Sequence, residues 1–189
     1  SQNKLIKDTK LNFPDKEKQE FLKMIQMTYK RAPQYNMFYP LLEQIVLFPE
    51  SDLTTFLKNS FEKVSEYLGL HTTILVSSQI DKDNSLKAQD RIIEINKRLG
   101  TNMYINAIGG KELYNAGDFK MHGMDLRFIQ MGDIRYKQFN DDFVPNLSLI
   151  DVLMFNSAEE TQTLLKKYQL IQGKQEIMGN ILSKGERNA

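Results

Sequence analysis

The sequence predicts an α/β fold, built as a helix-rich single domain with a small, mostly parallel sheet on a βαβ unit. The first observation is that helical spacing of apolar residues gives way at residues 72–76 to a short β-branched run and then returns. The second is that 189 residues suffice for one good core. The third is a composition of 41% hydrophobic and 26% charged residues, which is typical of packed, water-soluble proteins.

Helices are predicted before the β-branched run. Apolar residues recur at helical spacing over residues 15–31, and Pro33 ends this amphipathic helix because its ring cannot continue the hydrogen-bond ladder. A second helix is predicted over residues 36–47. The next one ends at Gly69, a residue suited to the left-handed position after a helix. Its apolar stripe consists of Leu53, Leu57, Phe61, Val64 and Leu68.

A βαβ unit is predicted in the middle of the chain. Residues 72–76 are apolar on both faces of the pleat, which indicates an interior strand. Helical spacing resumes at Ala88 and stops at Gly100, and further strands are predicted at residues 103–107 and 126–129. Because a strand, a helix and a strand in this order form a right-handed parallel unit, the first two strands are expected to be parallel in one sheet.

The last part of the chain is predicted to be helical before it becomes polar. One helix is predicted over residues 147–156, and Ser157 can cap a last helix that extends to Lys167. Residues 173–189 are polar and contain glycines, so we expect a tail whose last residues are mobile. The domain itself is therefore predicted to be residues 1–172.

Charge balance and residue usage exclude several classes of function. Lys plus Arg number 25 and Asp plus Glu 24, so no net field attracts a nucleic acid. The absence of cysteine rules out disulfides and Cys-ligated zinc and is compatible with a reducing cytoplasm. No apolar run approaches the roughly 20 residues that span a bilayer. Neither His71 nor His122 lies in a metal-ligand spacing, so no metal site is predicted.

Two loops after predicted strands carry candidate ligand-binding residues. Gly109 and Gly110 follow one strand directly, where paired glycines let the backbone turn sharply or approach a ligand closely. Ser77 and Ser78 occupy the equivalent place after another strand, and short hydroxyls there can bind phosphate, carboxylate or sugar hydroxyls. Because ligands bind beyond the carboxyl ends of strands in α/β sheets, the two loops reinforce each other. The alternative is that both are ordinary turns and caps.

Two charged residues are candidates for the same site. Arg91 lies near the start of its helix, where its guanidinium could meet an anion; a solvated helix face is the alternative. Asp151 lies beside an apolar helix face, between Leu147 and Met154. A buried carboxylate is costly unless it is paired, so Ser148, an arginine or a tyrosine hydroxyl is expected to bond with it. The alternative is a core aspartate that only anchors the helix.

Several stretches have a recognisable order and spacing: TYKRAPQY, LVSSQI, KAQDRIIEINKRLG, YINAIGGKELYNAGDF and YKQFNDDFVPNLSLIDVLMFN. Together, from about residue 5 to residue 171, they resemble the WbqC-like family of bacterial surface-polysaccharide pathways. The resemblance implies a role in O-antigen or related synthesis and a transferase that moves an acyl or aminoacyl group onto an amino sugar. The positions that match the family's pattern are Ser77, Ser78, Arg91, Gly109, Gly110, Tyr114, Tyr136, Gln138, Pro145, Ser148 and Asp151.

Roles and partners follow from this resemblance as expectations. Asp151 would orient or deprotonate the acceptor amine, and the amides of Gly109 and Gly110 would donate to a developing oxyanion. The expected partners are small molecules, namely an amino sugar or nucleotide sugar and an acyl donor, and no particular cofactor is indicated. The alternatives are a non-catalytic module that binds a sugar nucleotide or a partner enzyme, and a purely structural interaction domain.

The family's pattern also includes an amino-terminal block that has no counterpart in this chain. That block carries a Gln-Pro pair and a proline-glycine-tyrosine stretch after a first strand. If it supplies a strand to the sheet, this chain is a piece of a longer protein and is expected to expose an unpaired strand edge or an apolar patch. A homodimer would cover such a surface.

Overall fold

The computed structural model describes residues 4–173, in which helices and strands are mixed. The helices are α1 (Asp15–Tyr29), α2 (Tyr35–Val46), α3 (Leu53–Tyr67), α4 (Ala88–Arg98), α5 (Ala116–Met121), α6 (Leu149–Phe155) and α7 (Ala158–Leu165). The strands are β1 (Met103–Ala107), β2 (Asp125–Met131) and β3 (Tyr168–Gln172). The predicted α/β class is confirmed. Within the described residues, no helix is both long and apolar enough to cross a membrane.

The chain divides into two compact units. Among the described residues, the first contains residues 4–79 together with Asp133–Lys167, and the second contains Ile80–Gly132 and residues 168–173. Each unit has its own cluster of buried apolar side chains. The prediction of a single domain over residues 1–172 stays a prediction.

The first unit is helical. In it α1 packs on α2, α2 packs on α3 and α6, and α6 packs on α7. These helices bury apolar residues that recur about every three or four positions, which places them on one face. The buried members of this core are Leu22, Ile25, Ala32, Phe38, Leu42, Val46, Leu68, Leu153 and Met154.

The second unit contains a three-stranded sheet in the order β1, β2, β3. β1 and β2 are parallel, with Met103 opposite Asp125, and β2 and β3 are antiparallel, with Phe128 opposite Ile171. The sheet is therefore mixed, and its parallel pair joined through α5 is a βαβ unit. Its core against the helices consists of Ile93, Phe119, Met124, Leu126 and Phe128.

Two of the three predicted strands are present in the structure. The strand at residues 103–107 is confirmed with the same limits, and the one at 126–129 lies within β2. The strand predicted at residues 72–76 is wrong, because this run pairs with no strand in the described part of the chain and Leu75 is 54% exposed. The parallel pair expected between residues 72–76 and 103–107 is wrong for the same reason. β3 was not predicted.

The described sheet has an unpaired edge at β1, and the expectation that a missing strand packs on such an edge stays a prediction. β1 lies at one edge of the sheet and has β2 as its only neighbour among the described strands. Two side chains of β1, Met103 and Ile105, are 43% and 46% exposed. A homodimer that covers this edge stays a prediction.

Helix ends followed local signals closely. Gly69 has φ +62° and Gly100 has φ +65°, as expected for glycines after helices. Ser157 and Glu160 form a capping box at the start of α7. The buried faces were predicted less well, since no residue of α3 is buried and Phe61 of its predicted stripe is 61% exposed. The predicted tail lies outside the described residues, apart from its first residue, Gly173.

Candidate functional site

Asp151 lies in the first turn of α6, inside the first unit. The Ser148 Oγ caps this helix by accepting a hydrogen bond from the Ile150 N–H at 3.2 Å. The helical phase that follows places Asp151 with Leu153 and Met154 among the buried residues of α6. Asp151 itself is 5% exposed. The predicted burial is confirmed.

The Asp151 carboxylate accepts hydrogen bonds from side chains of two other parts of the chain. The Tyr29 hydroxyl, at the end of α1, donates to Oδ2 at 3.0 Å. The Tyr136 hydroxyl donates to Oδ1 at 2.6 Å, a length found for hydroxyls on ionised carboxylates. The Gln138 Nε2 donates to the same oxygen at 3.1 Å. A tyrosine hydroxyl was among the expected partners; Ser148 and an arginine were not the partners found.

All of these donors are neutral. None of the ion pairs formed among residues 4–173 includes Asp151. Burial of a carboxylate without a cation is costly, and several good hydrogen bonds offset that cost. A carboxylate offers about four acceptor positions. Since Oδ2 accepts from Tyr29 alone in the described chain, one acceptor position on Oδ2 is left for another donor.

Aromatic rings surround the network and fix the two tyrosines. The Tyr29 ring packs edge-on against Phe155 at 6.2 Å between centroids, and the Tyr136 ring packs edge-on against Phe143 at 5.3 Å. Phe139 packs edge-on against Phe155 at 4.7 Å. These ring contacts hold the two tyrosine donors in place beside the carboxylate.

The surroundings also change the acidity of the two tyrosines. Burial, followed by the hydrogen bond to Asp151, raises the pKa of Tyr29 to about 12. The same causes in the same order raise the pKa of Tyr136 to about 12, while the Gln138 amide acts in the opposite direction. Both hydroxyls therefore stay protonated donors at any physiological pH.

Comparison with known proteins gives a family match that spans the Asp151 network. The model of the WbqC-like protein family matches residues 1–163, which include the whole Asp151 network. The chain belongs to the WbqC-like protein family. No curated protein and no solved structure matches the chain.

The structure of this WbqC-like chain brings together part of the predicted site. Tyr136, Gln138, Ser148 and Asp151 lie in the first unit, where two of them donate to the carboxylate and Ser148 caps its helix. Ser77 and Ser78 belong to the same unit but lie exposed in a 3-10 turn, Ser77–Gln79. Because residues 72–76 form no strand, the expected position of Ser77 and Ser78 at the end of a strand is wrong, and their ligand-binding role stays a prediction.

The remaining predicted residues lie in the second unit. The Arg91 Nε donates to the Leu86 carbonyl at 2.7 Å, which is a local structural bond. Gly110 is buried, and a Cβ there would collide with the Asn106 side chain. The absence of a side chain at Gly110 is therefore explained by close packing. The predicted oxyanion role of the Gly109 and Gly110 amides stays a prediction.

Tyr114 contributes to the core of the second unit. Its ring packs edge-on against Tyr104 at 5.8 Å and against Phe119 at 6.0 Å. Burial, followed by a hydrogen bond with Tyr114, raises the pKa of Tyr104 to about 12. The contacts of Tyr114 are those of a packing residue, and its predicted ligand-binding role stays a prediction.

Two contributors to the WbqC-like site were not singled out from the sequence. Tyr29 lies in the TYKRAPQY stretch but was not assigned to the site, although a tyrosine hydroxyl was one of the partners expected for Asp151. Val144 contributes backbone atoms, since its N–H donates to the Gln138 Oε1 at 2.8 Å and its carbonyl accepts from Nε2 at 3.1 Å. Backbone groups leave no sequence signal.

Metal binding has no support among the described residues, which contain no cluster of His, Cys, Asp or Glu able to hold a metal ion. Two surface cavities lie elsewhere. One of about 390 Å³ borders Lys120 and Asp125 in the second unit, and one of about 440 Å³ borders Glu62 and His71 in the first. Asp151 lines neither of them. The chemistry that the Asp151 network offers is acceptance of a proton or of an N–H donor.

Proposed function

We propose that this protein transfers an acyl or aminoacyl group to the amino group of an amino sugar. The reaction belongs to the synthesis of a surface polysaccharide such as O-antigen. Family membership supports the pathway, and the Asp151 network supports the reaction. The observation that carries the proposal is a buried carboxylate whose partners in the described chain are neutral donors. We place the reaction in the cytoplasm, with which the absence of cysteine is compatible.

Asp151 acts in this proposal as the general base. The amino nitrogen of the acceptor attacks the acyl carbonyl, so that a new C–N bond forms and the bond to the leaving group of the donor breaks. Asp151 accepts the proton that the nitrogen loses, and the leaving group takes up that proton as it departs. General-base catalysis of this kind contributes about 10²-fold to 10⁴-fold to a rate.

The neighbours of Asp151 orient it and the substrate. Tyr29 and Tyr136 fix both carboxylate oxygens through donors that stay protonated, because their pKa values are about 12. An amine N–H is the same kind of donor as the Gln138 amide and can bind Oδ1 in its place. Tyr136 is the ligand-binding residue we assign nearest to the base, and Gln138 holds the position on the carboxylate that the ligand takes.

A second candidate is a non-catalytic module of the same pathway that binds a sugar nucleotide or a partner enzyme. The observation that favours it is the 5% exposure of Asp151 together with the full use of Oδ1 by Tyr136 and Gln138. A carboxylate so enclosed can hold α1 and α6 together without touching a substrate. Ligands would then bind to surrounding groups.

Mass spectrometry separates these functions. The protein is incubated with a panel of nucleotide-linked amino sugars and acyl donors, and the acceptor is monitored for the mass of the added acyl group. We expect Asp151→Asn to fold with a near-normal melting temperature and to lower turnover by about 10²-fold or more. Asp8→Asn is the matched control, because Asp8 is an exposed acid of the first unit that takes no part in the network or its loop and should leave turnover unchanged.

The opposite result would indicate that Asp151 only anchors its helix. In that case Asp151→Asn keeps ligand binding and turnover but lowers the free energy of unfolding by about 1 to 3 kcal/mol, since its partners are left badly matched. Intact turnover alongside a lowered melting temperature rejects Asp151 as the base. Binding without turnover in the unaltered protein favours the non-catalytic module.

A further inference from the structure

The Gln138 side chain closes a loop of the first unit. Its amide forms a pair of hydrogen bonds with the backbone of Val144, in which Nε2 donates to the carbonyl at 3.1 Å and Oε1 accepts from the N–H at 2.8 Å. Two antiparallel bonds of this kind are what neighbouring β-strands exchange. They tie together the two ends of the loop at residues 139–143.

The same amide is also bound to Asp151. An amide nitrogen has two hydrogens, and the Gln138 Nε2 has Val144 and Asp151 as acceptors at 3.1 Å each. The Tyr136 hydroxyl lies farther away, at 3.4 Å. The closed loop and the carboxylate are therefore bridged by a single NH₂ group.

Gln138 differs from the other donors to Asp151 in how it is held. Tyr29 and Tyr136 both pack their rings against Phe155, which belongs to the same helix as Asp151. Gln138 has a flexible aliphatic chain, and the middle of the loop that it closes is exposed at Asn140, Asp141 and Asp142. Of the three donors, Gln138 is the one whose own side chain makes no ring contact. Phe139 and Phe143, at the two ends of the loop, pack on Phe155 and Tyr136, so opening of the loop exchanges these ring contacts as well.

We propose that Gln138 couples opening of the loop at residues 139–143 to release of one donor from Asp151, so that the loop acts as a lid over the base. An acceptor amine is an N–H donor like Nε2 and takes its place on Oδ1 when the lid opens. This second statement rests on the proposed function. The coupling itself does not, because it follows from the hydrogen bonds alone.

Hydrogen exchange of the Val144 amide, followed by NMR on the whole chain, measures the coupling without any substrate. Gln138→Ala removes the acceptor of this amide and should raise its exchange rate about tenfold. Asp151→Asn leaves the Gln138 Oε1 in place as acceptor of the Val144 amide. It removes the charge that holds the Gln138 Nε2, so it should still raise the exchange rate of Val144 several-fold. Tyr29→Phe is the matched control, because Tyr29 donates to Asp151 without touching the loop, and should leave the rate unchanged.

Gln138→Glu changes the side chain that joins the loop to Asp151. It keeps an oxygen for the Val144 N–H but replaces the Nε2 donor by a carboxylate oxygen that is repelled both by Asp151 and by the Val144 carbonyl, so exchange should rise. Since this rise also follows from the loop contact alone, the deciding variant is Asp151→Asn, and unchanged Val144 exchange in it overturns the coupling. Amides of α1 and α6 report whether each variant is folded.

Kinetics test the lid when transfer activity is present. Gln138→Ala should lower KM for the acceptor amine several-fold and leave KM for the acyl donor unchanged, because Gln138 competes only with the amine. An unchanged acceptor KM overturns competition at Oδ1. Failure of the transfer assay refutes the proposed function and leaves the exchange result to decide the coupling.

Discussion

The Asp151 carboxylate is stabilised by neutral hydrogen-bond donors, and this choice of donors has consequences at the residue scale. The hydrogen bonds offset the cost of burying the charge without an ion pair. Hydroxyl and amide donors fix its orientation while leaving one acceptor position on Oδ2. The same contacts raise the pKa of Tyr29 and Tyr136, so the network has a property that can be titrated.

Stability should fall at high pH because of these tyrosines. In the folded state their pKa is about 12, against an ordinary value of 10.0. A raised folded pKa favours the protonated form, so this stabilisation is fully present below pH 10 and is lost as the pH rises through 12. Absorbance of tyrosinate and thermal melts across this range measure the effect.

Asp151→Asn tests whether Asp151 contributes to the raised pKa values of Tyr29 and Tyr136. It removes the hydrogen bond to a charged partner, so the pKa values of Tyr29 and Tyr136 should fall. Tyr104 serves as an internal control, because its pKa is also about 12 but depends on burial and on Tyr114. Equal shifts of all three tyrosines in the variant would contradict a direct effect of Asp151.

At the scale of elements, local signals predicted well and long-range pairing did not. The limits of α3 and the capping box of α7 depend on residues within one turn, so the sequence contains the needed information. Residues 72–76 have high β propensity, yet a strand also needs a partner, and none of the described strands pairs with them. β3 joins β2 from far along the chain, where no local pattern indicates the pairing.

The candidate site follows the same division. Helical phase was enough to predict that Asp151 is buried, and it left Ser148, an arginine and a tyrosine hydroxyl as alternative partners. It could not identify Tyr29, which lies 122 positions away along the chain and meets Asp151 only through the packing of the helices. Gln138 and Tyr136 came from the family resemblance, whereas the role of the Val144 backbone required coordinates.

Helix α7 contains a buried polar atom that offers a stability test. Thr161 is 1% exposed, and its hydroxyl has no hydrogen-bond partner among the described residues. Thr161→Val keeps the shape and removes the unpaired hydroxyl, so the free energy of unfolding should rise by about 1 kcal/mol. Chemical denaturation measures the change.

Thr161→Ser is the matched control. It keeps the hydroxyl and removes a buried methyl group, so unfolding free energy should fall by about 1 kcal/mol. Destabilisation by both substitutions would mean that the hydroxyl has a favourable role in the folded chain.

At the scale of the whole molecule, the two units interrupt each other along the chain. The second unit begins after Gln79, the first resumes at Asp133, and the second returns at Tyr168. The Asp151 network lies within the first unit, so its donors and acceptor are positioned by one helical core. Neither unit is a continuous stretch of chain, which favours unfolding as one cooperative system.

Matched substitutions in the two cores test this cooperativity. Ile25 is 7% exposed in the first core and Ile93 is 4% exposed in the second. Ile→Val at either position removes one buried methylene group and should cost about 0.5 to 1.5 kcal/mol. We expect each variant to show a single calorimetric transition at a lowered temperature, and the double variant to show the sum of the two losses, because the sites share no partner. Two transitions, with each substitution shifting a different one, would show that the units unfold independently and that the single-domain prediction is wrong.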